Sequence, residues 1–181
     1  MDKSQILDAY QIVNSYSVNR LSEILKEYGE EKNHYKIANH ICKYRERKDI
    51  FSCKELSDLI STLSPKSGRL NSSTRTFMAL RIEVNNELEC LKEFLDKSIE
   101  ILNSGGKLII ISFHSLEDRI VKNFMKYCEK NCTCESTKLI CDCKKKSTLK
   151  ILTKKPIRPT NEEVSANPNS RSAKLRVGAI I

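Results

Sequence analysis

The stretch Gly105-Gly106-Lys107-Leu108-Ile109-Ile110-Ile111-Ser112-Phe113-His114-Ser115-Leu116-Glu117-Asp118-Arg119 decides the fold. Its apolar run is short and does not alternate with polar residues. That pattern predicts a strand buried on both faces, as in a parallel sheet with helices on either side. The glycine pair ends whatever helix precedes it. Ser115 with Asp118 fits the S/T-x-x-D/E cap of a following helix, whose inward positions are Leu116, Ile120, Phe124 and Cys128.

Upstream, Leu80, Val84, Leu88, Leu91, Leu95 and Leu102 keep three-to-four spacing and predict one long helix over Thr74 to Asn103. Downstream, Thr148 to Ile157 and Lys174 to Ile181 read as strands, with a short helix between them opened by the capping box Thr160-Asn161-Glu162-Glu163. The first seventy residues are helical. Ser17 caps a helix that Gly29 ends, Tyr35 to Cys42 carry another, and Ser52 with Glu55 caps a fourth that Pro65 stops. Pro65-Lys66-Ser67-Gly68 is the best linker in the chain. The sequence therefore divides into a helical domain, 1–68, and an α/β part, 69–181, carrying a Cys-rich basic hairpin over 128–150.

Composition bounds the function. The 181 residues are 39% hydrophobic and 30% charged, with net charge +9, which is globular and neither disordered nor membrane-spanning. Only 5 glycines occur, below half the usual ~7%, and they assemble neither GxGxxG nor GxxxxGK[ST]. Met1 to Tyr10 lack the basic-then-apolar order of a secretory signal. Cytoplasmic, reduced cysteines are the matching expectation, with Cys42, Cys53 and Cys90 as small core residues.

Three blocks taken together are similar to one family. They are Thr74-Arg75-Thr76-Phe77-Met78-Ala79-Leu80-Arg81-Ile82-Glu83-Val84-Asn85, then Gly105 to Lys122 with SFHSLEDR at Ser112–Arg119, then Thr153-Lys154-Lys155-Pro156 with Ala166 to Val177. The chain resembles the bacterial 16S rRNA (cytosine-N4)-methyltransferases, known as RsmH or MraW, over nearly its whole length. The resemblance implies a class I S-adenosylmethionine-dependent (Rossmann-like) methyltransferase sheet with an all-α inserted substrate-recognition domain. It implies N4-methylation of a cytidine in 16S rRNA of the small ribosomal subunit, with no membrane partner. Family members carry the glycine-rich cofactor loop, the ribose-binding acid and an Asp-Leu-Gly segment ahead of the insertion, and nothing here matches them. The expectation is a C-terminal part without cofactor-binding residues, inactive alone and completed by a separate N-terminal half. Asn71, Ser72 and Ser73 stand where the family usually has His-Pro-Ala, and Met78 where it has Gln.

The exocyclic amine is a weak nucleophile, so a site must orient it and exclude water, and the base must leave its stack. Pockets in open α/β sheets lie at the carboxyl ends of strands, where Ser112, Phe113, His114 and Ser115 fall. Phe113 either stacks on a base or packs beneath the loop. His114 serves a base edge or a phosphate. Ser115 and Asp118 cap or bind, and Arg119 meets a phosphate or an acid beside it. Arg75, and Arg81 with Asn85 on one helical face, are solvated or substrate-facing, as are Arg171 and Ser172. Between Lys138 and Arg158 the charge is +7, including Lys144, Lys145, Lys146, Lys154 and Lys155. That charge suits phosphate contacts that add affinity without sequence choice. Cys132, Cys134, Cys141 and Cys143 form CxC…CxC, a candidate zinc set, with unliganded thiols or disulfides as the alternatives. The rival class is a non-catalytic, zinc-stapled RNA-binding module.

Overall fold

A computed structural model describes residues 7–63, 71–132, 134 and 143–181. By contact the chain falls into two units, Met1–Glu87 and Leu88–Ile181. The linker Pro65 to Gly68 lies outside the described residues.

The first unit is helical: α1 (Ala9–Ser15), α2 (Val18–Glu27), α3 (His34–Arg45), α4 (Cys53–Ser61) and α5 (Ser72–Asn85). The expected caps form. The Ser17 side chain accepts from Arg20 N–H and that of Ser52 accepts from Glu55 N–H. Ile12, Leu21, Ile24, Leu25, Ile37 and Ile41 fill the core at 1% exposure or less, with Ala79 and Leu80 of α5 beside them. The long helix expected over Thr74 to Asn103 is two helices, α5 and α6 (Glu87–Ile101). Asn86 breaks it in the left-handed region at φ 50°, a conformation asparagine tolerates better than most residues. The break sends α5 to the helical core, so the division by contact lies at Glu87/Leu88 and not at the linker.

The second unit holds α6, β1 (Lys107–Ser112), α7 (Ser115–Glu129), β2 (Leu149–Ile151), α8 (Asn161–Ala166), a 3-10 turn at Pro168–Ser172 and β3 (Lys174–Ile180). The sheet order is β1-β3-β2, and both pairings are antiparallel. The parallel-neighbour expectation is thereby corrected. Because β1 and β2 each oppose β3, they run parallel to one another, joined through α7 as a crossover with β3 between them. Their carboxyl ends share one edge.

Two-sided burial of β1 is also corrected. Leu108 and Ser112 are buried against the α7 side with Val121, Met125, Leu149 and Leu95. Ile109, Ile111 and Phe113 point the other way and are each more than half exposed. Within the described sheet β1 is an edge strand.

Candidate nucleic-acid interface

At the carboxyl end of β1 the chain turns directly into α7. The cap of α7 is His114, one residue before the expected Ser115. Its ring accepts from Glu117 N–H, and the Glu117 side chain accepts from His114 N–H in return. Glu117 also accepts from Phe113 N–H at 2.8 Å. Burial pushes the Glu117 carboxyl up, but the His114 ring and these amides hold it below its ordinary value. The other ring nitrogen, Nε2, is buried without a hydrogen bond, 3.3 Å from Glu117 Oε1.

Asp118 does not cap. It holds Arg176 at 2.6 Å and Lys174 at 3.1 Å, tying the first turn of α7 to the start of β3. Burial alone would raise its pKa, but the Arg176 and Lys174 hydrogen bonds hold it below the usual carboxylate range. Ser112 is buried and donates to Lys174 O at 3.4 Å, so it closes the sheet edge and offers no free hydroxyl. Phe113 is 54% exposed. Ser115 is half-buried and Arg119 exposed.

The lysines divide. Between the pairs Ile151↔Gly178 and Ile157↔Leu175, β3 advances three residues while the opposite segment uses six. The excess is a bulge that pushes Lys154 and Lys155 into solvent. They line a cleft of about 390 Å³ with Lys122, Lys126, Thr153 and Arg176. Lys122 and Lys126 lie four apart on one α7 face, each next in sequence to a core residue, Val121 and Met125. That spacing was readable in the sequence, but their convergence with the bulge was not. Lys145 sits 4.3 Å over the Tyr127 ring, so it is engaged within the chain. Lys144 (φ 50°) and Lys146 are exposed. Arg171 and Ser172 are exposed on the 3-10 turn.

The other candidates belong to the helical unit. Arg75 pairs at 3.2 Å with Glu31, whose side chain is 1% exposed. Burial works against the Glu31 charge, and the Asn33 amide with Arg75 outweighs it. Arg81 and Asn85 share a face as expected, but both bind Glu87, at 2.9 Å each. A feature missed from sequence is an apolar hollow of about 410 Å³ where Tyr10 and Phe51 pair at 5.4 Å between ring centres. Phe51 stands just before the Ser52 cap, where an apolar residue usually folds back on the helix, and is instead 70% exposed.

Among the cysteines, Cys128 is buried in the second core and Cys42 in the first, whereas Cys53 and Cys90 are exposed and not core. Cys53 is the first residue of α4 and stays exposed at the start of that helix. Cys132, Cys134 and Cys143 come together, and Cys141 lies outside the described residues. No described helix is long and apolar enough to cross a membrane.

The chain is 55% identical to the ribosomal RNA small subunit methyltransferase H of Caldicellulosiruptor saccharolyticus over 179 residues, 98% of this chain and 58% of the relative. It is 50% identical to the protein of that name from Caldicellulosiruptor bescii over 179 residues and 46% identical to that from Clostridioides difficile over 180, with the same coverage. It thus spans well under two thirds of the length of these relatives. With the model of the MraW methylase family matching residues 1–181, the chain belongs to the MraW methylase family.

Proposed function

We propose that this chain supplies the RNA-gripping and base-pocket part of an S-adenosylmethionine-dependent enzyme that methylates N4 of a cytidine in 16S rRNA of the small ribosomal subunit. The observation that carries this is the family match over 1–181 together with SFHSLEDR at the shared carboxyl edge of β1 and β2. In this reading the sheet is one flank of a Rossmann-like sheet. The exposed Phe113 ring offers a stacking face. His114 is a positioning residue that fixes the turn through its capping box. Lys154, Lys155, Lys122 and Lys126 neutralise phosphates.

The residues of this chain do not fit the cofactor. Class I sites need backbone approach at a glycine-rich loop, and the one glycine pair, Gly105-Gly106, sits in the turn between α6 and β1. The cofactor is therefore held by residues outside this sequence, in a partner half that also covers Ile109 and Ile111.

The test is a pair of measurements on the full chain. Titration calorimetry with S-adenosylmethionine is expected to show no binding, and micromolar binding would overturn the division of labour. Mixing the chain with the unmatched N-terminal part of the Caldicellulosiruptor saccharolyticus relative is expected to restore methylation of one cytidine in undermethylated small subunits, mapped by nuclease digestion and mass spectrometry. If the mixture is inactive while the intact relative is active, the reading fails.

A further inference from the structure

Between α7 and β2 the described residues gather sulfur. Thr148 N–H donates to Cys128 O at 3.0 Å and Ser147 N–H donates to Asn131 Oδ1 at 2.9 Å, tying the residues after α7 to those before β2. Just beyond this tie, the sulfurs of Cys132, Cys134 and Cys143 all lie within 4.8 Å of one another. Cys143 Sγ is 3.7 Å from Cys132 Sγ.

That distance discriminates between chemistries. A disulfide needs about 2.05 Å. A tetrahedral cation with metal–sulfur bonds of about 2.3 Å separates its sulfurs by about 3.8 Å. Cys134 N–H donates to Cys132 Sγ at 3.3 Å, which fixes that sulfur within the cluster. The three cysteines are partly exposed, unlike the core residue Cys128, so burial of apolar surface does not account for their convergence.

We propose that Cys132, Cys134 and Cys143 bind a soft d10 divalent cation, of which zinc is the type, as thiolates. Three metal–sulfur bonds form, three thiol protons pass to solvent, and no electrons change hands. Cys141, the fourth sulfur of the sequence pattern, lies outside the described residues. Three thiolates with one position left for another donor already match a known class of zinc site. This site is independent of the methyl-transfer reading.

The full chain is purified under reductant, stripped by chelation and reloaded with zinc or cobalt(II). Wild type is expected to retain stoichiometric zinc through gel filtration. Cobalt is expected to give a sulfur-to-metal charge-transfer band with the intense visible bands of a tetrahedral site. Zinc titrations run in buffers of different ionisation heat are expected to report proton release. C132S and C143S are each expected to lose at least about tenfold in affinity, whereas C53S and C90S, at exposed cysteines elsewhere, retain it. Circular dichroism confirms that each variant is folded. Metal-free wild type without a thiolate–cobalt band, binding unchanged in C132S and C143S, or a disulfide among the three cysteines in metal-replete protein would each overturn the proposal.

Discussion

Asp118 shows how much one carboxylate can organise. It sits in the first turn of α7 with its side chain 13% exposed, against an Arg176 side chain that is 8% exposed. Removing the acid strands a buried guanidinium, which costs about 3 kcal/mol or more. D118N is expected to lower the urea midpoint accordingly, and D118N/R176M to recover part of the loss. Since its folded pKa is depressed, the stability Asp118 contributes is present above its unfolded value, near ~3.9. It is lost as pH falls through the lower folded value. Acid titration of the urea midpoint is expected to show that loss in wild type and a weaker one in D118N. Gly29 makes a different kind of demand. A Cβ there would meet Leu25 O at 2.6 Å and Arg75 O at 3.0 Å, both backbone atoms that cannot swing away. G29A is expected to destabilise the helical unit by about 1–3 kcal/mol, read from the same denaturation curve. The sequence marked Gly29 as a helix end, but not as the point where α5 approaches α2. That role depends on a contact from a segment more than forty residues away, which no local pattern encodes.

At the scale of elements, β1 is the instructive case. Its unbroken apolar run, Leu108 to Ile111, reads as two-sided burial, and the described sheet covers one side. The pattern records an environment richer than α7, β3 and β2 supply, and so Ile109 and Ile111 are left exposed on an unpaired edge. Such edges template association. The chain alone is expected to self-associate in sedimentation velocity, and I109K/I111K to shift it towards monomer. A monodisperse wild-type monomer would refute this. Caps were the most legible elements, because Ser17, Ser52 and Thr160 each act within three residues of themselves. The cap of α7 was misplaced by one residue because histidine seldom caps, and His114 took the role that Ser115 was expected to fill. The α5/α6 break was hidden because the leucine spacing continues through Asn86 without interruption, while the two helices serve different cores. The β1-β3-β2 order was hidden for a related reason. Strand-sized segments were readable, but that the last one enters between the other two depends on the whole sheet.

At the scale of the molecule, the net charge of +9 raises the question of which cations face RNA. Sequence treats the lysines between Lys138 and Arg158 as equivalent, because it sees charge and not engagement. The structure separates Lys154 and Lys155, which the bulge leaves in solvent beside Lys122 and Lys126, from Lys145, which rests on Tyr127. A lysine that contacts phosphate releases a counterion on binding, so its loss reduces the slope of log K against log salt by about 0.7 for single-stranded RNA. K154Q and K155Q are each expected to show that reduction in fluorescence-anisotropy titrations of a 16S rRNA fragment over a series of potassium chloride concentrations. K145Q is expected to leave the slope nearly unchanged, since its ammonium is already spent within the chain. Equal slopes for all three variants would mean that the charge acts as a diffuse field and that the cleft has no privileged place in the grip. A selective fall for Lys154 and Lys155 would locate the phosphate path at the edge where β1 and β2 end.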